Sequence, residues 1–198
     1  MENQNQGLGE QVQHSGFVAV IGRPSSGKST LLNTLCEIKV SIVSPVPQTT
    51  RECIRAIYNG SDVHIVFLDT PGIHQSIREY NKRLSDVALE AVKDADAILC
   101  LHDASRALGE EDNHIFGWLG DYAGKTIVVC NKLDLSDPVK IEERVRDVQE
   151  LITPRDILTI SAFKKNDAQR VVEALKPLLG QGPRYYPDDY YTDQTQEF

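Results

Sequence analysis

The stretch "VIGRPSSGKSTLL", residues 20–32, sets two glycines, a lysine and three serines between two apolar runs. Gly22, Arg23, Pro24, Ser25, Ser26, Gly27, Lys28 and Ser29 follow the spacing glycine, four residues, glycine, lysine, serine. That spacing suits a polyphosphate. Glycines let backbone N–H groups turn inward and approach phosphate oxygens without side-chain obstruction. A helix starting near Lys28 and running through Thr30 adds unpaired N–H groups and the positive end of its dipole. Lys28 is placed to reach the β- and γ-phosphates, and the Ser29 hydroxyl to ligate Mg²⁺.

Three further motifs each close an apolar run. Asp69, Thr70, Pro71 and Gly72 offer a carboxylate for the Mg²⁺ shell and a Gly72 amide for the third phosphate. Asn131, Lys132, Leu133 and Asp134 end in a carboxylate with two adjacent acceptors, which suits the N1–H and 2-amino group of guanine. Adenine presents an acceptor at N1 and no 2-amino group, and unsatisfied groups cost about 1–3 kcal/mol each. Asn131 can brace neighbouring loops, and the Lys132 stem can lie along the base. The competing reading of this stretch is a polar cap, Asp134 or Ser136, for a helix starting near 138. Ser161, Ala162 and Phe163 follow the last apolar run, where their amides can reach the guanine O6; alone this tripeptide says little.

Positioning these motifs falls to runs of strand length at 17–21, 53–58, 63–68, 97–101, 126–130 and 157–160. Between them apolar residues recur at helical spacing: Leu84, Val87, Ala88, Ala91 and Val92; Ile141, Val145, Val148 and Leu151; Val171, Val172, Leu175 and Leu179. Alternation of this kind predicts a mostly parallel α/β sheet of about six strands with helices on both faces. The exception is the pair at 53–58 and 63–68, joined by "NGSD", a hairpin signal that predicts one antiparallel edge strand. Motifs at strand ends fall where open α/β sheets collect ligands.

The chain has 198 residues, 40% hydrophobic and 25% charged, enough for one globular domain with a core. A formal net charge of −8 opposes a nucleic-acid backbone. No apolar run spans a bilayer, and the first fifteen residues lack the apolar core of a signal peptide, so a cytoplasmic protein with a disordered leader is expected. The four cysteines, Cys36, Cys53, Cys100 and Cys130, are spaced as buried free thiols rather than as a metal site.

The ordered set "GRPSSGKS", "DTPG", "NKLD" and "SAF" resembles the Ras-like GTPases of the translation-factor-related class. Within that class residues 16–198 most resemble the bacterial Era family, through "GRP-x-x-GKSTLLN", "PQTTR", "DTPGIH", "NKLD" and the ending "YPDDYYTDQTQEF". The resemblance implies a Ras-like P-loop GTPase fold, a leader at 1–15, a GTPase domain at 16–181 and a linker at 182–198. In the family that linker leads to an RNA-binding KH domain, which this chain does not include. It further implies GTP and GDP as ligands, and the small ribosomal subunit and its rRNA as partners during subunit maturation. Peripheral membrane association comes from the resemblance too, while the charge and the lack of an amphipathic anchor argue against insertion.

By the same analogy residues 43–51 form a first switch in which Thr50, or Thr49, ligates Mg²⁺, and 69–76 form a second. Lys28, Thr50 and Gly72 are the catalytic set the resemblance implies; His74 and Arg51 are candidates that in a switch more often meet solvent or a partner. Ser25 stands where the family often has an asparagine tied to potassium, and one hydroxyl does not reproduce an amide, so potassium activation is not carried over. Ile73 follows Gly72 where many GTPases have a water-orienting glutamine, which implies slow hydrolysis. The alternatives are one half of a tandem-GTPase assembly factor, a GTP-binding interaction module with negligible hydrolysis and, against the "NKLD" motif, a small-molecule kinase. The sequence sets no oligomeric state.

Overall fold

A computed structural model describes residues 13–42, 54–69 and 91–186. Among the described residues eight strands form one sheet: β1 (Gln13–Gly22), β2 (Val40–Ile42), β3 (Ile54–Asn59), β4 (Val63–Asp69), β5 (Ala97–Asp103), β6 (Thr126–Asn131), β7 (Asp156–Thr159) and β8 (Gly180–Gly182). Four helices accompany them: α1 (Lys28–Lys39), α2 (Glu110–Leu119), α3 (Pro138–Leu151) and α4 (Lys165–Leu175). Residues 91–94 are also helical.

The sheet order is β2-β3-β4-β1-β5-β6-β7, with β8 paired to the start of β1. From β4 through β7 every neighbouring pair is parallel. The six expected strands are present and β3 runs antiparallel, as the Asn-Gly hairpin predicts. It is not the edge, however: β2 pairs with β3 outside it. β2 and β8 have only three residues each, too few to show a period of two.

Alternation along the strands builds the two layers of the core. Val18 and Val20 of β1, Leu99 and Leu101 of β5, and Ile127 and Val129 of β6 face one side, packed with Leu31 and Leu35 of α1 and Val171, Val172 and Leu175 of α4. Ala19, Ile21, Ile98, Cys100, Val128 and Cys130 face the other, against Ile115, Phe116 and Leu119 of α2 and Val148 of α3. Cys100 and Cys130 are free thiols in that layer, and burial pushes both up, Cys130 to about 12. The side chains at 36 and 53 lie outside the described residues.

α2 has no counterpart among the expected helices. Its apolar residues Ile115, Phe116 and Leu119 crowd into little more than one turn, and its start is marked by Glu110, Glu111 and Asp112 at the positive end of the helix dipole. The cap of α3 also differs from expectation. Asp137, not Asp134 or Ser136, accepts the Val139 N–H at 2.9 Å, because Pro138 occupies the first helical position and leaves the residue before it as the cap.

β1 starts at Gln13 and β8 runs to Gly182, and the two strands pair antiparallel. The Ser15 hydroxyl then donates to the carbonyls of Gly182 and Pro183, at 3.1 and 2.8 Å. Beyond them Tyr185 lies on Phe17, ring centroids 4.7 Å apart, and Tyr186 packs with Ile57 and Val66. The start of the expected linker is thus a strap over β1, β4 and β3. Residues 1–12 and 187–198, the rest of the expected leader and linker, lie outside the described residues.

Beneath that strap His64 is fully buried, donating from Nδ1 to the Asn59 side-chain oxygen at 2.6 Å. Burial pushes its imidazole down to about 4, with the Arg184 guanidinium adding to the effect. The unfolded chain takes up a proton below 6.5 and the native state does not until about 4, so stability falls as pH falls through that window. Urea denaturation should show a loss on the order of 3 kcal/mol across it, at about 1.4 kcal/mol per pKa unit. The variant His64→Gln should flatten the slope.

Candidate functional site

β1, β4, β5, β6 and β7 all point their carboxyl ends to one edge of the sheet, and the loops leaving them converge there. The loop after β1 wraps the start of α1. Gly22 has φ +145° and Gly27 φ +100°, with Ser25 at φ 62° between them. A Cβ at Gly22 would strike the Leu101 carbonyl, and one at Gly27 the Asn131 amide nitrogen. Both positions therefore demand glycine on steric as well as torsional grounds. Lys28 Nζ lies inside the loop, donating to the carbonyls of Gly22 at 2.7 Å and Arg23 at 2.9 Å. The Ser26 N–H donates to the Arg23 carbonyl at 3.2 Å, and the buried Ser26 hydroxyl has no protein partner. Pro24, Ser25 and Ser29 are exposed at the rim, and Thr30 is half-buried.

Asn131, 2% exposed, joins this loop to the one after β7. Its Nδ2 donates to the Ser26 carbonyl at 2.8 Å, and its Oδ1 accepts the Ala162 N–H at 2.9 Å. Lys132 follows in a left-handed conformation, φ 72°, which turns its side chain back to donate to Asp103 at 2.8 Å. Burial works against the Asp103 carboxylate, but Lys132 and Ser105 hold it below the usual range. Leu133 opens a short 3₁₀ turn that carries Asp134 outward.

The Asp134 carboxylate is exposed, and its Oδ1 accepts from the Ser161 hydroxyl at 2.5 Å. Ser161 is fixed in turn by Asp167, which accepts its backbone N–H at 2.9 Å. Thr34 of α1 also reaches the Ala162 carbonyl at 2.6 Å. Two amides of the Ser161–Phe163 loop are thus engaged in building it, and Phe163 stands 72% exposed beside it. What results is a cationic, N–H-rich cradle at one end and a rigidly aimed carboxylate at the other. Such a pair suits an anionic phosphate chain joined to a base that donates two hydrogen bonds.

Sequence reasoning missed the carboxylates behind these residues: Asp103 behind Lys132, Asp167 behind Ser161 and Asp112 behind Arg23. No motif carried them. Only the acidic first turn of α2 and an aspartate closing β5 were visible. Asp69 closes β4, but its side chain lies outside the described residues. So do Thr49, Thr50, Arg51, Thr70, Pro71, Gly72, Ile73 and His74, with both expected switches. Among the described residues no group of three His, Cys, Asp or Glu side chains forms a metal site. The exposed Ser29 in the first turn of α1, where no acidic residue competes, fits a cation shared with bound phosphates.

Comparison with known proteins places this geometry. Residues 17–132 match the family model described as 50S ribosome-binding GTPase. GTPase Era of Geotalea daltonii is 40% identical over 189 residues, covering 96% of this chain and 64% of that protein. Among solved structures, an Aquifex aeolicus Era variant bound to GDP.AlF4- aligns with TM-score 0.75 and 31% identity, over 92% of this chain and 63% of that one. Era in complex with MgGDPNP and 16S ribosomal RNA nucleotides aligns with TM-score 0.77 and 32% identity, over the same shares. This chain therefore spans less than two thirds of the length of these relatives.

Gly27→Ala tests the fit between the two loops. It meets both a strained φ and the Asn131 amide, so unfolding by denaturant should show at least about 2 kcal/mol of lost stability. A loss within 0.5 kcal/mol, the ordinary range of a surface change, would mean the contact is not tight.

Proposed function

This chain belongs to the 50S ribosome-binding GTPase family, and we propose that it binds guanosine triphosphate with Mg²⁺ and hydrolyses it slowly to GDP and phosphate. The observation that carries this reading is the Asp134 carboxylate, aimed by Ser161 and joined through Asn131 to the phosphate cradle. Gly22 through Thr30 hold the phosphates, and Lys28 exchanges its loop carbonyls for phosphate oxygens. Asn131 through Asp134 and Ser161 through Phe163 hold the base. Ser29, Thr50 and Asp69 would hold Mg²⁺, and the Gly72 amide, in a GTP-binding stretch with Asp69, Thr70 and Pro71, would meet the third phosphate. When bound, the metal neutralises charge on the phosphates. The relatives solved with GDP.AlF4- and MgGDPNP support both ligands.

Hydrolysis of this kind needs charge neutralisation and an aligned water more than covalent help. Lys28 and the loop amides supply the first. Ile73 cannot orient water by hydrogen bonding, so the intrinsic rate belongs on the order of 10⁻⁴ to 10⁻² s⁻¹. Such a rate suits a switch whose bound state a partner reads. The relative in complex with 16S rRNA nucleotides supports an Era-type part in small-subunit maturation. A chain of formal net charge −8 has no excess of positive charge with which to grip RNA phosphates. No described helix is long and apolar enough to cross a membrane.

Phosphate release from GTP, followed for the chain and for Lys28→Ala, is the first test: slow turnover is expected, abolished by the substitution. Several turnovers per second without a partner would contradict the rate, and no difference between the two would contradict the site. For the base, Asp134→Asn replaces an acceptor with a donor. It should move preference from GTP toward the xanthine nucleotide by at least about tenfold, one hydrogen bond's worth. Unchanged GTP affinity would show that Asp134 does not read the base.

A further inference from the structure

Arg23 sits inside the phosphate loop, yet its side chain points away from it. The guanidinium donates to Asp112 Oδ2 on α2 at 2.9 Å and pairs with Glu111 at 2.5 Å. Asp112 is 4% exposed and fully engaged: its Oδ2 also accepts the Gly109 N–H at 2.9 Å, and its Oδ1 faces His102 Nδ1 at 3.1 Å. Burial alone would raise the Asp112 carboxylate, but His102, the Gly109 amide and Arg23 hold it down to about 2. An acceptor-only carboxylate makes His102 the donor through Nδ1. The imidazole, 1% exposed near the end of β5, is set edge-on to Phe116, and its Nε2 has no protein partner.

Gly109 has a steric part in this arrangement. A Cβ there would come within 3.0 Å of the Arg23 guanidinium, so the missing side chain leaves the ion pair its room. The main chain of Arg23 faces the other way. Its carbonyl accepts both Lys28 Nζ and the Ser26 N–H, and the following Pro24 restricts Arg23 to an extended backbone. Arg23 is therefore the residue at which a buried tether outside the loop meets the hydrogen bonds inside it.

We propose that Asp112, oriented by His102, is a positioning residue for nucleotide binding: acting through Arg23, it holds the phosphate loop in its receptive shape before nucleotide arrives. Neither Asp112 nor His102 touches nucleotide. Their effect is preorganisation, so loosening the tether weakens binding and speeds release while leaving the chemical step of bound nucleotide intact. This inference rests on the guanine-nucleotide reading above.

The test measures GDP affinity and GDP release for the 198-residue chain, with single-turnover hydrolysis of prebound GTP and the melting temperature alongside. Asp112→Asn and Arg23→Met should each weaken GDP by about tenfold, the scale of one charge-assisted hydrogen bond, mainly through faster release. The double variant should be no weaker than either single one. His102→Asn, which keeps a donor near Nδ1, should retain affinity that His102→Leu loses. Single-turnover rates of the Asp112 and His102 variants should stay within about twofold.

Folded variants with wild-type GDP affinity and release, whatever their melting temperatures, would overturn the proposal, as would losses that simply add in the double variant. Should Asp112→Asn not fold, Arg23→Lys decides. Lysine keeps the charge but lacks the rigid fork whose Nε and Nη1 meet Glu111 and Asp112 separately, so GDP release must quicken, and unchanged release overturns the proposal. A wild-type chain that binds no GDP would instead defeat the nucleotide reading itself.

Discussion

One buried carboxamide holds the site in register. The phosphate loop leaves β1 in the middle of the sheet and the base loop leaves β7 at its edge, with two strands between them. Nothing in strand pairing fixes the distance between those loops. Asn131 does, donating to the carbonyl of Ser26 on one side and accepting the N–H of Ala162 on the other. A carboxamide offers a donor and an acceptor side by side in a single rigid plane. Aspartate would supply two acceptors and set one against the Ser26 carbonyl. At 2% exposure neither loop group has water as an alternative partner, so the bonds are costly to leave unmade.

Around that clamp the polar residues come in supported pairs. Ser161 aims Asp134 and is itself held by Asp167. Lys132, turned by its left-handed backbone, is held by Asp103. Arg23 is held by Asp112, and Asp112 by His102. Asp134, Lys132 and Arg23 thus each have a more buried partner restricting their rotamers, which lowers the entropy lost on binding. The supporting carboxylates come from the end of β5 and the first turns of α2 and α4. The sheet edge therefore supplies the loops and the surrounding helices make them stiff.

Much of this was legible in the sequence, and the limits have physical causes. The two layers followed from continuous apolar runs of strand length, such as 97–101 and 126–130, alternating with stretches of helical spacing. The phosphate loop was legible because glycine is required at Gly22 and Gly27, by φ and by the close approach of Leu101 and Asn131. The role of Asn131 as a brace followed from its amide chemistry. By contrast α2 was missed because its apolar face is compressed into Ile115, Phe116 and Leu119, and with it went Asp112. The three-residue strands β2 and β8 carry no period, so the antiparallel β3 was expected at the edge and the strap after β8 was read as linker from Gly182 onward. Contacts such as Ser161 to Asp134, 27 residues apart, depend on tertiary register that no local pattern encodes.

The most direct measurement of the clamp is a calorimetric GDP titration of Asn131→Asp beside the unaltered chain, with circular dichroism to show that the fold persists. The substitution keeps the size of the side chain and its acceptor for Ala162 but reverses its role toward Ser26. If one amide holds both halves of the site in register, affinity should fall by at least about 100-fold, the equivalent of roughly 3 kcal/mol. Affinity within about twofold of the unaltered chain would show that the two loops keep their spacing without it, and the account would fail.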